Sequence, residues 1–86
     1  MTPEMIEKFV STKIRKGAAV NIHFKDRNTV TGLFIHGTDY EELKSKNFWR
    51  IVSRHHAEEW KKTNDVNLAR LYNGVSFTRL SEEEAS

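Results

Sequence analysis

The sequence predicts a single, mainly β domain in which an N-terminal α-helix precedes a five-stranded, strongly bent antiparallel barrel. Three observations indicate this fold class. Apolar side chains recur at helical spacing over the first 16 residues, and the segments that follow alternate between apolar and polar residues. A glycine, Gly32, interrupts the second alternating segment, as expected where a strand bends sharply or another backbone approaches closely. A chain of 86 residues has room for one domain.

The N-terminal helix is predicted to run from Pro3 to Lys16. Thr2 is a good N-cap residue, and proline is favoured in the first helical turn because its φ angle is already helical. Glu4 lies at the positive end of the helix dipole, and Gly17 provides a stop. The apolar stripe of this helix comprises Ile6, Phe9, Val10 and Ile14.

Five strands are predicted after the helix, over residues 20–24, 29–36, 47–52, 66–72 and 75–80. Residues 25–28 form a tight turn, and residues 37–46 are polar and rich in turn formers. The pair Asn73-Gly74 is a strong signal for a type I′ hairpin turn between the last two strands.

Residues 53–64 connect the third and fourth strands, and their first half fits a helix, a strand extension or a partner-binding loop. The second half favours a short helix, because Glu58 and Lys62 have i, i+4 spacing and Ala57 and Trp60 share one face. A helix at this place would bring Trp60 over one end of the barrel.

Three segments resemble the motifs of the Sm-like proteins. The segment 20–35 has the alternating strand, turn and glycine-containing strand of the first Sm motif. Gly37-Thr38-Asp39 is similar to the Gly-Phe-Asp of Sm and Hfq-like proteins, and residues 71–75 resemble the short second motif. The chain also has the general look of small bacterial barrel proteins. The resemblance covers most of residues 4–80 and implies an Sm/SH3-like barrel.

The resemblance also bears on partners. In Sm-like rings the free edges of the last two strands pair between subunits, so we expect a homo-oligomer through the strand at 66–72. The family's RNA pocket matches here at Asp39 and Gly74, whereas Glu41 and Leu43 stand where the family has an aromatic residue and an asparagine. Asn73 stands where the family has arginine or lysine.

Composition excludes several classes of site. The chain has no cysteine, so disulfides, thiolate metal sites and cysteine nucleophiles are ruled out. The four histidines lack the i, i+4 spacing of helical zinc sites, and no serine lies in a nucleophile elbow. We therefore expect no metal, no cofactor and no enzymatic activity. No apolar run approaches the ~20 residues of a membrane span, and charges interrupt the N-terminal segment, so we expect a cytoplasmic protein without a membrane partner.

The charge is unevenly distributed. Residues 1–80 hold all 14 positive side chains and nine negative ones, a balance of +5. Residues 81–86 hold three glutamates and no base, a balance of −3, and are expected to form an acidic disordered tail. A balance of +5 supports weak, salt-dependent phosphate binding and falls short of the basic stripe of a dedicated nucleic-acid binder.

The candidate binding residues are basic, aromatic or matched to the Sm motifs. They are Asp39, Tyr40, Arg50, Trp60, Lys61, Lys62, Arg70, Tyr72, Asn73 and Gly74. Trp49 is expected in the core, and Tyr40, Arg50, Arg70 and Tyr72 are expected to be the more exposed contacts. Two functions follow: a protein–protein interaction or assembly subunit, or an Sm-like protein that binds RNA or single-stranded nucleic acid. Convergence of the exposed contacts on one basic face would favour nucleic acid, and burial or scatter would favour protein interaction.

Overall fold

A computed structural model describes residues 1–82 and contains three helices and five strands. In chain order the elements are α1 (Pro3–Lys16), β1 (Val20–Phe24), β2 (Val30–Phe34), α2 (Tyr40–Ser45), β3 (Phe48–Ser53), α3 (Ala57–Thr63), β4 (Ala69–Asn73) and β5 (Phe77–Glu82). All strand pairs are antiparallel, and the sheet order is β4-β3-β2-β1-β5. The predicted N-terminal helix and five-stranded antiparallel sheet are confirmed.

Helix α1 has the predicted ends. The Thr2 hydroxyl accepts a hydrogen bond from the Met5 amide at 3.3 Å, and Gly17 ends the helix in the left-handed conformation at φ 65°. Only glycine takes this conformation at little cost. Ile6 and Val10 are completely buried against the sheet, so their transfer from water is a main source of the helix's stability.

Gly32 on β2 is required by the close approach of β3. A β-carbon at this position would lie 2.5 Å from the Val52 carbonyl oxygen and 2.8 Å from the Ile51 Cγ2. Backbone atoms of a paired strand cannot retreat without breaking the sheet. The sequence-based interpretation of Gly32 as a site of close backbone approach is confirmed.

The two faces of the sheet carry separate apolar clusters. The larger cluster packs against α1 and includes Ile6, Val10, Val20, Ile22, Phe34, Tyr40, Trp49, Ile51, Phe77 and Leu80. The smaller cluster consists of Leu33, Ile35 and Val52, with Trp60 and Leu68 packed against it. Trp49 is 2% exposed, which confirms its predicted place in the core.

The sheet curls so that strands distant in its order come into contact. Two strands separate β1 from β4, yet the Phe24 and Tyr72 rings lie 5.8 Å apart between centroids. The Lys25 amide donates a hydrogen bond of 3.2 Å to the carbonyl of Ser76, in the 3-10 segment Gly74–Ser76 that joins β4 to β5. Within residues 1–82, β4 and β5 pair with β3 and β1 respectively and form the two edges of the sheet.

Two local predictions are wrong. Asn73-Gly74 is not a type I′ turn, because Asn73 has φ −90° and a 3-10 segment follows it. β4 and β5 lie at opposite edges of the sheet, so no hairpin turn can join them as neighbours. Residues 37–46 include the short helix α2 rather than only loop.

The C-terminal end of the sheet extends further than predicted. Ser81 and Glu82 belong to β5, and the Glu82 carboxylate pairs with the Lys13 ammonium of α1. The boundary of the predicted acidic tail at residue 81 is therefore wrong, and positions 83–86 lie outside the described residues. No helix in residues 1–82 is both long enough and apolar enough to cross a membrane.

We predict that Gly32→Ala lowers the free energy of unfolding by about 1–3 kcal/mol, because the new methyl group overlaps the β3 backbone. Urea unfolding followed by circular dichroism measures the change. Gly37→Ala is the matched control, since its β-carbon would meet only the end of the Asp39 side chain, at 3.3 Å. Equal stability of Gly32→Ala and the wild type would contradict the close approach.

Candidate functional site

Asp39 and Arg50 form an ion pair on the outer face of β3. Arg50 lies on the strand, and Asp39 directly precedes α2. The guanidinium donates two hydrogen bonds to the carboxylate, Nε to Oδ1 at 3.3 Å and Nη2 to Oδ2 at 2.7 Å. The Arg50 hydrogen bonds hold the pKa of Asp39 below its ordinary value. Because each group neutralises the other, Arg50 is not an uncompensated cation for a phosphate.

Tyr40 is buried, so its predicted exposure is wrong. Its ring stacks on His36 with centroids 4.2 Å apart, and its hydroxyl donates a hydrogen bond of 3.2 Å to Glu7. Burial, followed by the charge of Glu7, raises the pKa of Tyr40 to about 12. Tyr40 begins a helix, and helical geometry turns its side chain toward α1 and the core. The ring is therefore a packing residue.

Lys44 connects α2 to α1 through Glu7. The Lys44 ammonium lies 2.9 Å from Glu7 and 2.8 Å from Glu41 of its own helix. The hydrogen bond from Lys44 lowers the pKa of Glu7, and the hydrogen bonds to Glu41 and Glu7 raise the pKa of Lys44. This network fixes α2 against α1 and leaves its charges compensated.

Trp60, Lys61 and Lys62 all lie on α3 but differ in their burial. Trp60 is half-buried against the cluster of Leu33, Ile35 and Val52, so it covers one face of the sheet. Lys61 and Lys62 are exposed in the last turn of α3, where positive charge complements the helix dipole. Within residues 1–82 neither lysine forms an ion pair with another candidate residue.

Arg70 and Tyr72 lie on one face of β4, opposite the face that carries Leu71. They pair with Ile51 and Trp49 of β3 respectively. Tyr72 is half-buried against Phe24, and the guanidinium carbon of Arg27 lies 5.8 Å from the centre of the Tyr72 ring. The ring therefore has little free surface for stacking.

Arg70 borders a groove that the sequence did not indicate. The groove has a volume of about 280 Å³ and is lined by Ile51, Ser53, His56, Asn67, Leu68, Arg70 and Tyr72. Ser53, His56 and Asn67 come from separate short segments whose spacing gives no motif. The one feature of the sequence that could have indicated these residues is the polar segment that begins at position 53, whose structure the sequence left open.

Asn73 and Gly74 have structural roles at the turn between β4 and β5. The Asn73 side chain accepts a hydrogen bond from the Val75 amide at 2.9 Å. Gly74 is buried, its amide donates a 2.8 Å hydrogen bond to the Asn47 carbonyl, and a β-carbon there would overlap Asn47 and Ile6. The Asn73 side-chain oxygen and the Gly74 amide are thus both engaged in holding the turn.

The candidate residues therefore lie in four places. These are the Asp39–Arg50 pair with the adjacent Tyr40, helix α3, the face of β4 that carries Arg70 and Tyr72, and the turn after β4. Within residues 1–82 no group of three or more histidine and acidic side chains has the arrangement of a metal site. Comparisons with protein-family models, with curated proteins and with solved structures find no match. Surface chemistry must therefore carry the functional argument.

We predict that Asp39→Asn destabilises the fold at neutral pH and has a smaller effect in acid. The folded-state pKa of Asp39 is lowered from 3.8, so its ion pair stabilises the fold above that pH. This stabilisation is lost as the pH falls through the lowered folded-state pKa. Urea unfolding between pH 7 and pH 2 measures the difference between variant and wild type.

Asp26→Asn is the control for this pH series, since Asp26 is exposed in the turn after β1 and forms no ion pair within residues 1–82. A difference between Asp39→Asn and wild type that stays constant down to pH 2 would show that the ion pair does not stabilise the fold.

Proposed function

We propose that this protein is a non-catalytic interaction module, a small Sm/SH3-like barrel that assembles with other copies of itself through the free edge of β4. The observation that carries the proposal is that the residues expected to contact nucleic acid do not lie together on one exposed surface. Tyr40 is buried, Arg50 is neutralised by Asp39, and Tyr72 lies on the other face of the sheet. This arrangement favours protein interaction over an RNA pocket.

The barrel assignment is supported by contacts across the curled sheet. The Phe24 ring meets Tyr72 of one edge strand and Phe77 of the other, at 5.8 and 5.3 Å. A three-residue segment, Gly74–Ser76, joins those two edge strands. Edge strands that are linked this closely support the assignment of the curled sheet to a small barrel.

The edge of β4 is suited to pairing with another strand. It contains no proline and no lysine, and Arg70 is its one charged residue among those that protect an edge. Leu71, at its centre, is 51% exposed, and Val75 directly after it is 59% exposed. An unpaired backbone edge with an apolar side chain at its centre favours a second strand, and another copy of the chain supplies one in its own β5 edge.

We predict that the protein sediments as a concentration-dependent oligomer and that Leu71→Lys shifts it to monomer. The added charge would lie in the strand interface, where its desolvation is unfavourable. Val66→Lys is the matched control, because Val66 is equally exposed at 51% but lies in a 3-10 segment before β4. Analytical ultracentrifugation of the three proteins at several concentrations makes the comparison.

Two results would contradict the proposal. The first is a wild-type protein that remains monomeric at the highest concentration tested. The second is binding of labelled single-stranded RNA in fluorescence anisotropy that strengthens as salt is lowered, without oligomer formation. That result would favour the alternative, nucleic-acid binding, because phosphate contacts weaken with salt.

A further inference from the structure

The groove beside β4 has the shape of a small-ligand site. Its floor is the buried side chain of Ile51, and Leu68 adds a second apolar wall. Its volume of about 280 Å³ lies just under the ~300–1,000 Å³ of sites that enclose drug-sized molecules. A small molecule, or one terminal group of a larger one, fits this space.

Every polar side chain in the lining can donate a hydrogen bond, and none of them is a carboxylate. The donor groups are the Ser53 and Tyr72 hydroxyls, the Asn67 amide, the His56 imidazole and the Arg70 guanidinium. Within residues 1–82, the side chains of Ser53, Asn67, Arg70 and Tyr72 form no hydrogen bond or ion pair with the protein. Their donor capacity is therefore available to a ligand.

Two carboxylates close in sequence to lining residues have partners of their own. Glu59 lies 3.9 Å from the His56 Nδ1, one helical turn away on α3. Asp65 precedes the segment that carries Asn67, and its carboxylate accepts a hydrogen bond from the Asn67 backbone amide at 3.0 Å. Arg70 belongs to the groove lining and forms no ion pair within residues 1–82, so its charge favours an anion.

We propose that this groove binds the phosphate group of a small phosphate monoester. The donors come from β3, two 3-10 segments and β4, so they surround the space from several directions. Such an arrangement suits the three terminal oxygens of a phosphate monoester, which together accept more hydrogen bonds than the two oxygens of a carboxylate. The apolar floor at Ile51 and Leu68 accommodates the carbon-bearing part of the monoester, which inorganic phosphate lacks.

The groove and the Leu71 side chain of the proposed assembly edge lie on opposite faces of β4. Arg70 and Tyr72 project from the face of β4 opposite Leu71, because side chains alternate along a strand. Substitution of Leu71 should therefore leave ligand binding intact, and substitution of Arg70 should leave the oligomer intact. The two proposals can fail separately.

The test is an NMR titration of the ¹⁵N-labelled full chain with inorganic phosphate, adenosine 5′-monophosphate, phenyl phosphate and acetate. We expect saturable shifts for both monoesters at the amides of Ser53, Asn67, Arg70 and Tyr72, with weaker binding of inorganic phosphate and acetate. Arg70→Gln should weaken monoester binding about tenfold, as expected for loss of charge-assisted hydrogen bonds. Arg79→Gln, an exposed arginine on β5 outside the groove, is the matched control.

Four outcomes would overturn the proposal. The first is that the amide shifts occur outside the groove, and the second is that both arginine variants weaken monoester binding equally. The third and fourth are that acetate or inorganic phosphate binds as tightly as the monoesters. A parallel titration with a short single-stranded RNA distinguishes a nucleic-acid site. Tighter binding of that RNA, with shifts that extend to Lys61 and Lys62, would also replace the small-ligand proposal.

Discussion

The side-chain amide of Asn47 links three parts of the chain in the protein interior. Its nitrogen donates to the Met1 carbonyl at 3.0 Å, and its oxygen accepts from the Trp49 indole at 2.9 Å. Its backbone amide donates to Lys44, and its carbonyl accepts from Gly74. Asn47 has φ 63°, a left-handed conformation that asparagine tolerates better than most residues. All four hydrogen-bonding groups of this buried residue are thereby satisfied.

The position of the edge strands follows from these bonds. The Asn47 carbonyl accepts a hydrogen bond from the Gly74 amide, which directly follows β4, so this bond anchors the segment that joins the two edge strands. The alternation of side chains along β4 gives this strand two different surfaces. One face carries Leu71 at the free edge, and the other carries Arg70 and the groove. We infer that assembly and ligand binding use opposite sides of one strand.

Features set by neighbouring residues were predictable from the sequence. Thr2 and Gly17 determine the ends of α1, and a glycine within a strand pattern correctly indicated close packing at Gly32. Features set by distant residues were not. The Asn73-Gly74 pair is a strong local hairpin signal, but packing of Asn47 and Ile6 against Gly74 imposes a different turn. Tyr40 is buried because its segment is helical, and the groove combines separate segments that share no motif.

The most direct test of this account is the stability of Asn47→Gly, measured by urea unfolding beside Asn47→Ala. Glycine accepts the left-handed conformation, so the variant isolates the loss of the amide. Two hydrogen bonds disappear, and the Trp49 indole and the Met1 carbonyl lose their partners. We predict a decrease of about 2–4 kcal/mol in the free energy of unfolding for Asn47→Gly, and a larger decrease for Asn47→Ala. Wild-type stability of Asn47→Gly would show that the Asn47 amide does not hold these segments together.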